Sequence, residues 1–192
     1  MKSLILRLSL FVVLMCCYMG LSAQQVALKT NLLSASLGAL NGGIELALRP
    51  RMTLEVSGSI KPWERAELSV DKYWIVQAEI RHWMCQKYNG SFIGGYINGA
   101  QYNVGGKELL FGVFSDLKSH RYEGYLLGAG VTYGYQLILN THWNIEFSIS
   151  GGYEYIHYDR YRCPRECAQL DKKGDYHYVG PSKAVIGLIY LF

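Results

Sequence analysis

The stretch His177–Phe192, HYVGPSKAVIGLIYLF, decides how the chain is read. From Lys183 onward it alternates. Ala184, Ile186, Leu188, Tyr190 and Phe192 share one face, and Lys183, Val185, Gly187, Ile189 and Leu191 the other. Period-two alternation, with two glycines and a proline, specifies a strand rather than a helix. A terminal aromatic preceded by apolar residues at every second position is also how closed membrane barrels finish. There the last strand seals the sheet against the first and leaves no edge in lipid. Alone, the stretch fits a core strand of a soluble β-domain equally well, so the rest of the chain must separate the two.

The 192 residues imply one domain, and half of them are hydrophobic, with 16 Tyr and 21 Gly. Residues 1–23 read as a secretory signal. Lys2 and Arg7 form the basic start, Leu8–Met19 the apolar core, and Leu21-Ser22-Ala23 precede Gln24 as the cleavage site. Cys16 and Cys17 fall in that core, but Met15 stands where lipid attachment requires a small residue. After residue 23 no apolar run reaches 18 residues, which excludes membrane helices and leaves a β-rich chain. Removal of the signal takes two of the 19 basic residues and none of the 15 acidic ones, so the charge falls from +4 to +2. That balance is too small and too evenly spread for a nucleic-acid partner.

Eight strands are expected in the mature chain. The first spans Val26–Ser36, followed by a turn at Asn41-Gly42-Gly43. The next six span Ile44–Arg49, Met52–Ile60, Tyr73–Met84, Ser91–Asn103, Gly124–Leu137 and Trp143–Tyr158, and the C-terminal stretch is the eighth. The fifth is glycine-rich, and its facing cannot be assigned from the sequence. Connections after strands two, four and six are tight, and those after three, five and seven are long. An even count with alternating short turns and long loops is the pattern of single-chain outer-membrane barrels. One face carries aliphatics, with Trp74, Trp143, Tyr125, Tyr153, Tyr155, Tyr190 and Phe192 towards strand ends, as interfacial aromatic belts do. The other face collects Lys29, Glu45, Arg49, Glu55, Glu79, Arg81, Glu146, Glu154 and Lys183. A soluble ligand barrel has the reverse pattern. On a lipid face each basic residue at mid-depth costs roughly 2–4 kcal/mol, so these charges belong inside. The expected fold is therefore all-β, an eight-stranded antiparallel transmembrane β-barrel, residues 24–192, located in the outer membrane.

The chain resembles a family of Bacteroidota outer-membrane proteins defined as a domain of unknown function and often encoded near fimbrial genes. The stretches that carry the resemblance are Leu28–Leu33 (LKTNLL), Val76–Trp83 (VQAEIRHW), Asn89–Phe92 (NGSF), Gly99–Asn103 (GAQYN), Gly128–Gln136 (GAGVTYGYQ) and Tyr178–Ala184 (YVGPSKA). The resemblance implies an outer-membrane barrel with a surface or fimbria-associated role, and it supplies no catalytic residues.

The inward charges are read as a plug of mutually neutralising side chains, because an eight-stranded barrel is just wide enough for side chains to fill it. Cys163 and Cys167 are expected to form a loop disulfide, since no second Cys/His pair with zinc spacing exists. Cys85 is left over. His157 with Asp159, near His177, is the one constellation that suits a lipid A-modifying enzyme, but no serine stands at matching depth except Ser182. No catalytic residue, metal or cofactor is expected. The expected role is structural or surface-interacting, through the segments Val104–Arg121 and Asp159–Tyr176; a lipid A-modifying enzyme and a small-solute channel are the alternatives. Expected partners are outer-membrane lipid and fimbrial or other surface proteins, with the chain itself a monomer.

Overall fold

The computed structural model describes residues 26–62, 70–105, 120–162 and 170–192. The expected leader, residues 1–23, and the expected Cys163–Cys167 disulfide lie outside the described residues. The strands are β1 Val26–Asn31, β2 Leu40–Arg49, β3 Met52–Lys61, β4 Val70–Trp83, β5 Gly90–Gly105, β6 Arg121–Ile138, β7 Trp143–Tyr161 and β8 Leu170–Leu191. Each pairs antiparallel with its neighbours in sequence, and β8 returns to β1, so the sheet closes into a barrel. Pro50-Arg51, Met84–Asn89 and Leu139–His142 turn the chain at the end where β1 begins and β8 finishes. There Leu191 N–H donates to the His142 carbonyl at 2.7 Å, and Phe192 N–H to that of Val26 at 3.0 Å.

The alternation of the sequence sets the two surfaces. Outside are Ile44, Leu48, Val56, Val76, Ile80, Ile97, Leu127, Val131, Phe147, Ile149, Val179 and Ile186, all exposed. Inside are Glu45, Glu55, Gln77, Glu79, Arg81, Thr132, Gln136, Glu146 and Glu154, all buried. At the tight-turn end the interior holds a small apolar plug made by Ala27, Ala47, Trp83, Tyr88, Phe92 and Ile189. Trp83 and Phe92 pack with ring centroids 4.8 Å apart. Tyr88 enters this plug from the turn after β4 at φ +63°, the left-handed conformation that a non-glycine residue adopts only at a cost.

The facing of β5 is resolved: Phe92, Gly94, Tyr96 and Asn98 point in, Ile93 and Ile97 out. Its large inward side chains sit opposite inward glycines of β6, with Phe92 against Gly134, Tyr96 against Gly130 and Tyr102 against Gly124. A Cβ on Gly134 would come within 2.4 Å of the Phe92 ring.

Two expected features are corrected at the start of the barrel. The first strand ends at Asn31, and Leu32–Ser36 form a one-turn helix, α1, capped by the Asn31 side chain. The chain reverses through α1, so Asn41-Gly42-Gly43 is not a turn but lies within β2. At the opposite end β5, β6, β7 and β8 run longer than expected. β8 alone has 22 residues, whereas β1 pairs with it only from Ala27 to Asn31, against Leu191 to Gly187. Above Gly187 no described strand pairs with that edge of β8, and α1 lies across the gap.

The exposed edge is managed group by group. Asn31 Nδ2 donates to the Ala184 carbonyl at 3.3 Å, and Ile186 N–H donates to Asn31 Oδ1 at 3.4 Å. Pro181 has no N–H to satisfy, and its carbonyl accepts from the Tyr178 hydroxyl at 3.1 Å. Proline and side-chain caps are the usual devices for an edge that must not recruit another strand.

Candidate functional site

Above the apolar plug, β1, β2, β3, β4 and β7 each contribute inward charges to one network. Lys29 Nζ donates to Glu45 and Glu55 at 2.8 Å each, and also to Glu146. Arg81 spreads its guanidinium over four carboxylates. Its Nε reaches Glu79 at 2.8 Å, Nη2 reaches Glu55 at 2.6 Å, and Nη1 reaches Glu146 at 2.9 Å and Glu45 at 3.3 Å. The face of Arg81 also lies over the Phe92 ring, 4.4 Å from its centroid. Neutral donors satisfy the remaining oxygens. Gln77 and Thr132 donate to Glu79, Ser148 to Glu146, and Thr53 to Glu45. Trp83 Nε1 in turn donates to Thr53 Oγ1 at 2.9 Å, joining the network to the plug.

Carboxylate oxygens of Glu45, Glu55 and Glu146 converge within 4.8 Å of one another, a spacing that suits a metal ion. The Lys29 ammonium bonds all three and already supplies the cation their charges require. Glycine at position 94 is what lets Glu79 turn towards Arg81, because a Cβ there would stand 2.5 Å from Glu79 Oε1.

Six of the nine expected interior charges therefore meet in one cluster: Lys29, Glu45, Glu55, Glu79, Arg81 and Glu146. Glu154 is buried higher in the barrel and accepts from Asn98 Nδ2 at 3.1 Å. Lys183 points inward, with Ser57 Oγ at 3.5 Å and no carboxylate partner among the described residues. Arg49 is a correction. It is exposed at the end of β2, because the register slips between Ala47 and Arg49 and breaks the alternation that would have turned it in. Sequence reasoning missed Trp83, Phe92 and Tyr96 as interior residues. Strict alternation from Arg81 to Trp83 would have found the first. Cys85 is a free, exposed thiol in the turn after β4.

A second cluster lies on the outer wall towards the long-connection end. The β7–β8 register sets Tyr155 opposite His177 and His157 opposite Asp175. His157 Nδ1 and Asp175 Oδ1 are 2.7 Å apart, the Tyr155 hydroxyl donates to the same oxygen at 2.8 Å, and Tyr125 stacks on the His157 ring. Asp159, the sequence neighbour expected to partner His157, pairs instead with Lys173 at 3.0 Å. Hydrogen bonds from His157 first, and then Tyr155, hold the Asp175 carboxyl below the usual aspartate range. Arg162 and Arg160 do the same for Asp171.

A closed ring of eight antiparallel strands, charged within and apolar without, defines an inside-out β-barrel. The chain belongs to the family described as a protein of unknown function (DUF3575), which matches residues 9–192. No curated protein and no solved structure matches it.

Proposed function

We propose that the chain is an exported outer-membrane β-barrel with a structural or surface-interaction role. The observation that carries this reading is the continuous apolar outer wall. On β7 the outward residues run Trp143, Ile145, Phe147, Ile149, Tyr153, Tyr155, with Trp and Tyr at the two ends and purely apolar Ile and Phe between. Twelve steps from Trp143 to Tyr155, at about 3.3 Å each and tilted about 40°, rise roughly 30 Å, the height of an apolar band with its aromatic girdles. Beyond it, Arg121–Glu123, Asp159–Lys173 and His157–Asp175 mark the return to water.

Residues 1–23 are the export signal in this reading, and the long-connection end faces the cell exterior. There β7 and β8 continue past the band as a hairpin bearing Arg160, Arg162, Asp171, Lys172 and Lys173, which is the surface offered to partners. The resemblance to Bacteroidota proteins encoded near fimbrial genes points to a fimbria-associated partner. The filled charge layer and apolar plug argue against conduction. The alternative of a lipid A-modifying enzyme draws on the His157–Asp175 pair, but no serine hydroxyl bonds His157 among the described residues.

The test is fractionation and heat-modifiability. A folded membrane barrel resists detergent until heated, so recovery in the outer-membrane fraction with a gel shift on boiling is expected. Recovery in the soluble periplasm without a shift overturns the reading.

A further inference from the structure

On the exterior side of the charge layer the barrel encloses a cavity of about 140 Å³. Its walls are mixed. Ser57, Ser59, Asn98 and Lys183 bring polar atoms, while Ile75 and Val185 bring apolar faces. Three of the polar groups lack a full partner. Ser59 Oγ and Asn98 Oδ1 are buried with no hydrogen bond, and Lys183 Nζ has only the long contact to Ser57. Buried polar atoms in a roomy site call for an occupant that bonds them. The cavity is also reached by Asn31, Ser34, Asn41 and Gly42, the residues bordering the gap in the wall where β1 stops and α1 begins.

We propose that this cavity is a binding site for one small uncharged ring rich in hydroxyl groups, a hexose or hexosamine unit, admitted through the gap at α1. Size sets the first limit: a cavity of about 150 Å³ holds one benzene ring, so it takes the ring of a single unit only, whose exocyclic groups must lie in the opening beside Asn31, Ser34 and Asn41. Charge sets the second. Lys29 and Arg81 face four carboxylates, so this cluster stays net negative even with Lys183 counted, and Glu154 beside Asn98 adds to it. An anion meets that field, and a cation meets Lys183. The orphaned groups set the third limit. Asn98 Oδ1 requires a donor and Lys183 an acceptor, and a hydroxyl is both. The C–H faces of a sugar ring match Ile75 and Val185. The unit can arrive free or as the headgroup of a glycolipid whose chain stays outside, along exposed Leu32, Leu33 and Leu37.

The test uses the folded full-length mature chain in lauryldimethylamine oxide, a detergent without sugar, titrated calorimetrically with glucose, N-acetylglucosamine and octyl glucoside. Saturable binding is expected, weakened about tenfold or more by Ser59→Leu, a loss equivalent to one good contact. Ser59→Leu fills the space and breaks no hydrogen bond, so the barrel is expected to keep its gel shift. Lys183→Met is expected to weaken binding as well. Tighter binding of octyl glucoside than of glucose assigns the site to a lipid-borne sugar, and the reverse order to a free one. Absence of saturable binding by all three, or binding unchanged in Ser59→Leu, overturns the proposal. A protein recovered soluble without detergent overturns the membrane reading and leaves the same titration able to decide the cavity.

Discussion

Asn41 grips the backbone of Asn31 from both sides. Its Oδ1 accepts from Asn31 N–H at 2.6 Å, and its Nδ2 donates to the Asn31 carbonyl at 3.0 Å. One amide side chain thus replaces the ladder bonds that β2 would have made had β1 continued. Asn41→Ala removes both bonds at the point where the wall turns into α1. A loss of about 1–3 kcal/mol is expected, read as a lower temperature for the gel shift, with faster amide exchange confined to Asn31–Ala39.

Arg81 holds four carboxylates at once, so its removal leaves Lys29 alone among them. Arg81→Met is expected to destabilise the barrel by about 3–5 kcal/mol, the cost of uncompensated buried charge. Adding Glu79→Gln, which withdraws the carboxylate that Lys29 does not reach, is expected to restore part of that loss. Denaturant midpoints of the single and double variants measure the coupling, and additive losses would refute it.

Gly134 exists to admit Phe92. Gly134→Ala places a Cβ against the ring and is expected to cost about 1–3 kcal/mol by overpacking. Combining it with Phe92→Leu trims the facing atoms and is expected to recover stability relative to Gly134→Ala alone. A double variant less stable than either single would show that the two positions do not share this space.

Acid loosens the outer hairpin. Asp171 and Asp175 are both held below the ordinary carboxyl value by their donors, so the folded state binds their protons less readily than the unfolded chain does. Their stabilisation is complete above about pH 4 and is lost as pH falls through the depressed folded values. Amide exchange at residues 157–161 and 171–177 is expected to quicken on acidification through this window. In Asp171→Asn combined with Asp175→Asn that dependence is expected to vanish.

Most of the wall was legible because a barrel strand has one rule, alternation, and Glu45, Glu55, Glu79, Arg81 and Glu146 obey it. Arg49 broke the rule through a bulge, which is a property of two strands and leaves no trace in one. The fifth strand resisted reading because Phe92 and Tyr96 point inward, the side where polar residues were expected, and their partners are glycines on the next strand. Asn41-Gly42-Gly43 has the composition of a hairpin turn, but Asn41 is used for its side chain and Gly43 for close approach to Ser57. Nearness in sequence pairs His157 with Asp159, whereas the β7–β8 register delivers Asp175. The shortness of β1, and with it the gap that opens the cavity, depends on where α1 nucleates, and Leu32–Ser36 carries no strong helical signal.

The meeting of β1 with β8 also governs how the barrel is made. It joins the first strand of the chain to the last, the most distant pairing the sequence allows, and does so over the short run Ala27–Asn31, whereas β7 and β8 zip from Trp143 to Tyr161. Pairing between remote segments comes late in folding, because its loop-closure entropy must be met first. The hairpins can assemble as a curved, open sheet while the ring waits for residues 187–191 to meet β1. A chain truncated by those few residues would keep nearly every strand and still be unable to close.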